Sequence, residues 1–219
     1  MDYFRQTDLV DQEALDIPMV VIGCGGIGSI TTLALAKMGC HNLTVYDDDT
    51  IEAHNLPNQV YRVEDIGKKK VEAIADILEA YTGARIRTYP ERVAGQKLRG
   101  IVISGVDTMT DRIRIWLDSI KLNPAVPFYV DARMGGEVSR IYAVRPVDPF
   151  QIKAYEATLY SDTEADPLTC TGRTIIYNTF AIAGIITSQV KKFLMGEPYE
   201  REILLDLHTL TLEYHQPTN

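Results

Sequence analysis

A glycine-rich turn between an apolar run and a helical pattern constrains this chain more than any other stretch. The apolar run at residues 19–22 leads into Gly23-Cys24-Gly25-Gly26-Ile27-Gly28, and helical spacing then continues to Met38. A second apolar run follows at residues 43–46. This order predicts a strand, a tight turn, a helix and a second strand, with backbone N–H groups at the start of the helix free to bind an anion.

Three glycines of this loop have different physical roles. Gly23 permits the tight turn, Gly25 lets the backbone approach a phosphate group closely, and Gly28 lets the helix pack against the sheet. Asp47 follows the second strand, 24 residues after Gly23, where such folds place the carboxylate that accepts the ribose hydroxyls. We therefore predict a nucleotide-binding site at this end of the strands.

The composition is typical of a protein in a reducing compartment. Its 219 residues can form one domain, which would bury roughly 70% of the unfolded surface. The three cysteines, Cys24, Cys40 and Cys170, form neither a disulfide framework nor a Cys-x-x-Cys zinc motif. No stretch approaches the roughly 18 apolar residues of a membrane span, and the N-terminus lacks the apolar core of a signal peptide. We therefore predict a cytoplasmic protein.

The charge balance is acidic. With 22 basic and 30 acidic residues, the formal net charge is -8. Such a chain has no general attraction to nucleic acid, although a local basic patch could still exist.

The order of the remaining elements predicts an α/β fold. Helical spacing at residues 68–81, a short apolar run at 101–104, a further helix reaching Ile120 and a strand at 127–131 alternate along the chain. Such alternation is typical of a Rossmann-like, doubly wound and mostly parallel sheet. Alternating patterns at residues 84–89 and 137–144 predict an edge strand and a strand that extends the sheet antiparallel.

The whole chain, residues 1–219, is predicted to be a single domain. Residues 1–145 would form the nucleotide-binding core, preceded by a short helical arm at residues 1–17. Residues 146–172, rich in proline and acidic residues, would form a crossover segment with a short helix around Tyr155. Residues 173–219 would form a C-terminal helix and a hairpin. That helix is apolar over most of its surface, so the domain or a second copy should bury it.

Several motifs in fixed order resemble those of the ThiF/MoeB/ubiquitin-activating adenylyltransferase family, over nearly the whole chain. The glycine loop of that family, Gly-x-Gly-Gly-x-Gly-Ser, is matched at residues 23–29. The other matches are an Asp-x-Asp at 47–49, an Asn-Leu-x-Arg-Gln segment at 55–59, a Gly-x-x-Lys helix start at 67–70, an Asp-x-x-x-x-Arg turn at 107–112 and an Arg-Gln pair at 5–6.

The resemblance implies an activity, a cofactor and a partner. Members of the family adenylate a carboxylate with ATP and Mg²⁺ and release pyrophosphate. The substrate would be the C-terminal glycine of a ubiquitin-like or sulfur-carrier protein. The apolar helical pattern at residues 173–194 suggests a homodimer, although a heterodimer would also bury it. In thioester-forming members an acceptor cysteine lies in a comparable crossing segment, which makes Cys170 the candidate here, while other members stop at the adenylate.

The resemblance also assigns residue roles. Asp47, with Asp49 beside it, would hold the ribose end of the nucleotide. Asn55 and Lys70 would contact phosphates. Asp107 would bind Mg²⁺. Arg5 would reach the β and γ phosphates, either within its own subunit or from the partner subunit of a dimer.

Two departures from the family pattern affect these expectations. Asn58 stands where the family has arginine, so one phosphate contact is missing or is supplied by Arg62 or Arg112. The paired Cys-x-x-Cys motifs that give many members a structural zinc are absent, so no zinc is expected.

Alternative interpretations stay open at this point. Asp107 could cap the helix that follows it, Lys70 could belong to a solvated run of lysines, and Asp131 could be structural or functional. The same fold could adenylate a small molecule, a peptide or a tRNA base, or serve as a non-catalytic partner subunit. An NAD-dependent oxidoreductase would explain the glycine loop, but it gives Lys70 and Asp107 no evident role.

Overall fold

One eight-stranded sheet forms the centre of the protein. A computed structural model describes residues 1–161 and 174–215. Along the sheet the strand order is β3-β2-β1-β4-β5-β6-β7-β8. The strands are β1 (Met19–Ile22), β2 (Leu43–Tyr46), β3 (Arg87–Tyr89), β4 (Ile101–Ser104), β5 (Phe128–Gly135), β6 (Val138–Val144), β7 (Glu202–Asp206) and β8 (Thr211–His215). Strands β1 to β5 are parallel, and β6 to β8 add antiparallel pairs, which confirms the predicted fold class.

Within residues 1–161 and 174–215, five α-helices connect or cover the strands. They are α1 (Gly26–Met38), α2 (Lys70–Thr82), α3 (Met109–Ile115), α4 (Pro149–Glu156) and α5 (Ile176–Leu194). Gly39 and Gly83 end α1 and α2 in the left-handed conformation, with φ of 116° and 74°, a backbone conformation that costs glycine little. Short 3₁₀ turns occur at Phe4–Gln6, Glu13–Asp16, Ala53–Asn55 and Val63–Asp65.

The sheet separates two apolar cores because its central strands are buried on both faces. Alternate residues of β1 show the division. Val21 packs in the core that contains α1, α2 and α5. Val20 and Ile22 pack in the core that contains Trp116 and Tyr155. Because both faces of the central strands are buried, the sequences of these strands are continuous apolar runs.

The second core lies beneath α3 and α4. A π-helical turn, Trp116–Ile120, continues α3, so the predicted helix ending at Ile120 is not uniform. Trp116 is fully buried, and its indole Nε1–H donates to Glu156 Oε1 at 2.9 Å. Asp148 caps α4 by accepting backbone N–H bonds from Phe150 and Gln151. The short helix predicted around Tyr155 is therefore present.

Some element boundaries differ from the sequence predictions. Strand β5 continues to Gly135, beyond the predicted end at residue 131, because β6 pairs with it as far as Gly135–Val138. Edge strand β3 is restricted to Arg87–Tyr89. Residues 162–173 lie outside the described part of the chain, and with them the candidate acceptor Cys170.

The N-terminal arm packs at the end of α1 that is remote from the glycine loop. Tyr3 Oη bonds to His41 Nε2 at 2.9 Å, and Gln6 Nε2 donates to the backbone oxygen of Met38. The arm consists of two 3₁₀ turns with irregular segments around them. Within residues 1–161 and 174–215, no helix has the length and apolar character needed to cross a membrane.

Candidate functional site

A cleft of about 1290 Å³ opens at the carboxyl ends of the parallel strands. Open α/β sheets bind ligands at this edge. The cleft extends from the glycine loop across β4 and β5 to β6 and β7. Most of the predicted site residues line it: Gly23, Gly25, Gly26, Asp47, Asp49, Asn55, Lys70, Asp107 and Arg112.

The glycine loop is shaped by close backbone contacts. Gly23 has φ of +86°, a conformation that side chains disfavour. A Cβ atom on Gly28 would lie 1.7 Å from the backbone oxygen of Gly23, so only glycine fits there. A Cβ on Gly25 would meet no heavy atom within 4 Å. Gly28 therefore closes the packing of helix against loop, and Gly25 leaves room for a ligand to approach the start of α1.

Asp47 is held directly by this loop. Its Oδ2 accepts the N–H of Cys24 at 2.6 Å, and its Oδ1 accepts the N–H of Asp49 at 2.8 Å. Burial raises the pKa of the Asp47 carboxyl, and the nearby Lys70 and the two N–H donors oppose that shift only in part. The carboxylate therefore has a fixed orientation beside the turn, and its oxygens can accept further hydroxyl donors.

The run of three lysines has specific partners and is not a uniformly solvated face. Lys68 Nζ donates to Asp65 Oδ1 at 2.9 Å, and Lys69 Nζ to the backbone oxygen of Asp48 at 2.5 Å. Lys70, at the first position of α2, is buried, and its Nζ lies 2.6 Å from Asp49 Oδ2. The Lys70 ammonium is therefore fixed in the cleft, paired with a carboxylate that is more than half exposed.

A second ion cluster supports the segment before α2. Asp65 is fully buried and accepts two bonds from the Arg62 guanidinium and one from Lys68. Burial alone would raise the pKa of Asp65, but these donors outweigh it and lower the pKa to about 2. Arg62 also pairs with Glu64 at 2.8 Å and is not among the described residues that line the cleft. Its position gives no support to Arg62 as the replacement for the family arginine.

Asp107 lies on the loop after β4 and faces the cleft. The N-cap of α3 is Thr108, whose hydroxyl accepts the N–H of Asp111 at 3.1 Å, so the capping interpretation of Asp107 is wrong. The Asp107 side chain is exposed, and within the described residues no hydrogen bond or ion pair involves it. It is thus a carboxylate free to bind a cation.

Arg112 reaches the floor of the cleft but is already bound by protein acceptors. Its Nε donates to Asp131 Oδ1 at 2.7 Å, and its Nη2 to the backbone oxygens of Val106 and Ala132 at 2.7 and 3.2 Å. A further bond joins Nη1 to the backbone oxygen of Thr108 at 3.3 Å. This engagement favours a positioning role for Arg112 over direct contact with a phosphate.

Asp131 is the centre of that buried cluster. Its second oxygen accepts Arg133 Nε at 2.9 Å and the Tyr155 hydroxyl at 3.1 Å. Arg133 also donates to Thr158 at the end of α4 and lies 4.4 Å above the ring centre of Tyr142. The sequence left Asp131 undecided, and in the structure it joins α3, β5 and α4 beneath the cleft.

Arg92 is a cleft residue that sequence reasoning missed. Its Nε donates to both oxygens of Asp48, at 3.0 and 3.2 Å, and its Nη1 donates to Asp111 Oδ2 at 3.1 Å. Arg92 thus connects the loop after β2 with the first turn of α3. It lies in an irregular segment after β3, where periodicity gives no signal.

The polar segment after β2 contributes two asparagines. Asn55 is buried, and its Oδ1 accepts the N–H of Glu52 at 2.8 Å. Asn58 Nδ2 contacts Thr174 Oγ1 just before α5, while Asn58 Oδ1 is buried and has no partner within the described residues. Leaving such an atom unpaired costs about 1–3 kcal/mol, so this position has unused bonding capacity.

Arg5 is not among the described residues that line the cleft. It precedes Gln6, which bonds to Met38 at the far end of α1. Because α1 has 13 residues, that end lies about 20 Å along the helix axis from the glycine loop. The structure therefore separates Arg5 from the cleft of its own chain.

The donors around the cleft fit a nucleotide phosphate and a hard cation. The carboxylates of Asp47, Asp48 and Asp49 lie within 4.8 Å of one another. The carboxylate of Asp107, which has no partner among the described residues, lies on the loop after β4. Carboxylate oxygens suit Mg²⁺, which is commonly bound by one or two carboxylates together with substrate phosphates. Asp107 is the protein ligand that this geometry favours, since Asp47 and Asp49 have the partners described above.

Comparisons with known proteins agree with this geometry. A profile of the ThiF family matches residues 5–218. The chain is 32% identical over 118 residues to the NEDD8-activating enzyme E1 catalytic subunit of Dictyostelium discoideum, covering 51% of this chain and 26% of the relative. It is 28% identical over 152 residues to the sulfur carrier protein ThiS adenylyltransferase of Escherichia coli, covering 63% and 61%. The matches thus span about a quarter and about three fifths of these relatives.

Solved structures show the same fold. PaaA superposes with a TM-score of 0.72 at 22% identity, over 98% of this chain and 68% of PaaA. E. coli MccB, in a crystal with ATP, superposes with a TM-score of 0.71 at 18% identity, over 93% and 65% of the two chains. At these identities the likeness establishes the fold alone.

Proposed function

The chain belongs to the ThiF family, and from this we propose that it uses ATP to adenylate the C-terminal carboxylate of a ubiquitin-like or sulfur-carrier protein. The observation that carries the proposal is the convergence of three groups on one cleft. These are the open glycine loop at Gly25, the buried ammonium of Lys70 and the exposed carboxylate of Asp107, which has no partner within residues 1–161 and 174–215. Backbone N–H groups and an ammonium bind phosphate oxygens, and a carboxylate binds the Mg²⁺ that accompanies a triphosphate.

In this proposal each side chain has a separate task. The Asp47 carboxylate accepts the ribose hydroxyls, and the N–H groups at the start of α1 bind the phosphate chain. When the nucleotide binds, the Lys70 ammonium would leave its ion pair with Asp49 and contact the phosphates, whose negative charge it stabilises. Asn55 adds an amide contact from the buried side of the segment.

The chemistry then requires no nucleophile from the protein in the first step. A carboxylate oxygen of the carrier forms a bond to the α phosphorus, and the bond from that phosphorus to the oxygen shared with the β phosphate breaks. The products are the carrier adenylate and pyrophosphate. The site contributes orientation of the two reactants and cations opposite the charge that develops on the phosphates.

Mg²⁺, when bound, would neutralise charge on the phosphate oxygens. Asp107 would hold it, because its carboxylate faces the cleft and has no partner among the described residues. Arg112 would keep the loop of Asp107 in place, since it donates to the backbone oxygens of Val106 and Thr108 on either side of that residue.

We further propose that the enzyme is a homodimer in which Arg5 acts on the cleft of the partner copy. The N-terminal arm lies at the far end of α1 from its own glycine loop, so Arg5 can reach a bound triphosphate only across an interface. Exposed apolar side chains on α5, Tyr177 and Phe180, together with Ile175 before it, offer surface for a second copy.

A second step is proposed for Cys170. Its thiolate would attack the acyl carbon of the adenylate, forming a thioester and releasing AMP. The residue lies outside the described part of the chain, so the hypothesis depends on the family resemblance. Substituting Cys170→Ala should abolish a thiol-sensitive adduct in intact mass spectra and leave the adenylate.

A non-catalytic partner subunit is the alternative that a specific observation favours. Asn58 replaces the family arginine, and both nearby candidates for its charge, Arg62 and Arg112, are bound by protein acceptors. ATP–pyrophosphate exchange separates the two functions. An enzyme exchanges pyrophosphate when a suitable carrier is present, whereas a partner subunit forms its complex and exchanges none.

The decisive experiment measures that exchange with candidate carriers, Mg²⁺ and Asp107→Asn. The variant keeps the size of the side chain and removes its charge, so exchange should fall at least about 100-fold if Asp107 holds the metal. Asp118→Asn is the matched control, because Asp118 is about half exposed and lies on the π-helical turn outside the cleft. Equal exchange by wild type and Asp107→Asn would refute the assignment.

A further inference from the structure

The backbone of Cys24, inside the glycine loop, is held on both sides. Its N–H donates to Asp47 Oδ2 at 2.6 Å, and its carbonyl oxygen accepts the hydroxyl of Tyr61 at 2.7 Å. Tyr61 is buried, and burial raises the pKa of its hydroxyl well above the usual value. The Tyr61 hydroxyl is therefore protonated and donates to the loop.

The segment that carries Tyr61 is itself fixed. The N–H of Val60 donates to Ser29 Oγ in α1 at 3.3 Å, and the N–H of Arg62 donates to the buried Asp65 carboxylate at 3.1 Å. The ring of Tyr61 packs in the core that contains α1 and α2. The neighbours and the ring of Tyr61 thus fix the direction of its hydroxyl.

The carbonyl of Cys24 and the N–H of Gly25 belong to one peptide unit. In a planar trans peptide these two groups point in opposite directions. Gly25 lines the cleft, and Tyr61 is not among the described residues that do. The carbonyl bonded to Tyr61 therefore points out of the cleft, and the Gly25 N–H points towards it. Among the described residues, nothing accepts this N–H.

Without the bond from Tyr61, the loop could present the wrong group to an anion. Rotating this peptide unit changes the φ angle of Gly25, and glycine adopts φ of either sign. A Cβ at Gly25 would meet no heavy atom within 4 Å, so the surroundings leave room for the rotation. Half a turn would direct the Cys24 carbonyl oxygen, with its partial negative charge, at the phosphates.

We propose that Tyr61 is a positioning residue for phosphate binding: its hydroxyl holds the Cys24 carbonyl out of the cleft and keeps the Gly25 N–H directed at the nucleotide phosphates. The inference rests on the proposed function and deepens it. Gly25 contacts the ligand through its backbone, and Tyr61 acts through the loop.

Removing the hydroxyl alone tests this role. In Tyr61→Phe, ATP affinity measured by calorimetry with Mg²⁺ should fall about 3- to 10-fold, because the donor to the phosphates loses its fixed orientation. Adenosine affinity, measured by NMR titration, should be unchanged, because adenosine has no phosphate and Asp47 keeps its bond from the N–H of Asp49. A purely structural role would weaken the binding of both ligands.

Thr82→Val is the matched control. The buried hydroxyl of Thr82 also donates to a backbone oxygen, that of Leu78, at 2.7 Å, and it accepts the N–H of Ala84. Thr82 lies at the opposite end of α2 from Lys70. The control should lower the melting temperature at least as much as Tyr61→Phe does and leave ATP affinity unchanged.

The sequence allows the peptide unit itself to be observed. Cys24-Gly25 is the single Cys-Gly pair of the chain, so protein with ¹³C at the cysteine carbonyls and ¹⁵N at the glycines gives one carbonyl–amide correlation. In the wild type, ATP should move the Gly25 amide proton resonance downfield, because the N–H then donates to a phosphate oxygen. In Tyr61→Phe with saturating ATP this shift should be smaller.

The results separate the inference from the proposed function. Wild-type protein that binds no ATP overturns the proposed function. When the wild type binds ATP, equal affinity in Tyr61→Phe, or equal weakening of ATP and adenosine, overturns the positioning role alone. A loss of ATP affinity in Thr82→Val as large as that in Tyr61→Phe does so too, as does a wild-type Gly25 amide resonance that ATP leaves in place.

Discussion

The guanidinium of Arg112 and the carboxylate of Asp131 form a fully buried ion pair, with 2.7 Å between Nε and Oδ1. Arg133 binds the other oxygen of the same carboxylate at 2.9 Å. One buried negative charge therefore serves two positive charges, of which Arg112 is buried and Arg133 is partly exposed at the cleft. Such a cluster is sensitive to the loss of its centre, because a buried cation without a partner is costly.

Asp131→Asn should consequently destabilise the fold. The substitution keeps the volume and leaves two guanidinium groups without a counter-charge, so the free energy of unfolding should fall by about 3–5 kcal/mol. Urea denaturation measures this change. Glu79→Gln, which removes an exposed partner of Arg85, is the control and should cost less than about 1 kcal/mol. A loss for Asp131→Asn as small as that of the control would contradict the prediction.

Arg92 should affect nucleotide binding more than stability. Its side chain is exposed and bridges Asp48 with Asp111, so Arg92→Gln should cost less than about 1 kcal/mol of folding free energy. The two loops it connects hold the ribose carboxylate and the metal carboxylate in the proposed site. We expect the KM for ATP to rise about 3- to 10-fold with a smaller change in kcat.

The control for that measurement is Arg85→Gln, which removes another exposed arginine paired with one carboxylate. It should leave both kinetic constants unchanged. An Arg92→Gln variant with wild-type KM would show that the bridge does not set the spacing of the loops.

Asp65 should give stability a defined dependence on pH. Its pKa in the folded protein is lowered to about 2, against about 3.9 in an unfolded chain. A lowered pKa means that the stabilisation is complete above the unfolded value and is lost as the pH falls towards the folded one. The difference in unfolding free energy between wild type and Asp65→Asn should therefore shrink from about pH 5 down to about pH 2.

Urea denaturation over that range measures the difference. Asp76→Asn is a suitable comparison, because Asp76 is exposed and lies 3.7 Å from the Lys68 ammonium. Its difference from wild type should stay small throughout. If the difference in unfolding free energy between wild type and Asp65→Asn stays constant from pH 5 to pH 2, the prediction is wrong.

Mixing two inactive variants should restore activity if Arg5 acts across a dimer. In a mixed dimer of Arg5→Ala and Asp107→Asn, one cleft receives an intact Arg5 from its neighbour and keeps its own Asp107. Random exchange makes half of the dimers mixed, so about a quarter of the wild-type pyrophosphate exchange should return. Exchange no higher than that of the separate variants would show that Arg5 does not act across the interface, and an Arg5→Ala variant with wild-type exchange would place Arg5 outside the reaction.

Local signals explain how much of the fold the sequence predicts. The glycine loop, the acidic tip of β2 and the apolar runs of β1, β2 and β4 each report on a few consecutive residues. Their structures follow from turn geometry and from burial on both faces of a parallel sheet. The predicted position of Asp47 beside the glycine loop is an example, because a strand–helix–strand unit brings the end of its second strand next to the turn after its first strand.

Contacts between distant residues explain what the sequence could not predict. Asp131 and Arg112 come from different elements, and neither apolar period nor motif spacing pairs them. The end of β5 reads Arg133-Met134-Gly135, which gives no strand pattern in the sequence, and it is a strand because β6 pairs with it. The contact of Asn58 with Thr174 spans 116 positions of the chain. Each depends on the assembled fold.

The buried indole of Trp116 gives the protein an optical reporter of its own. It is the single tryptophan of the chain, and it packs edge-on against Tyr155 with 4.6 Å between ring centres. Tyr155 in turn donates to Asp131. Fluorescence excited at the red edge of the indole absorption band thus reports on the one region where α3, α4 and the charged cluster meet, without any attached dye.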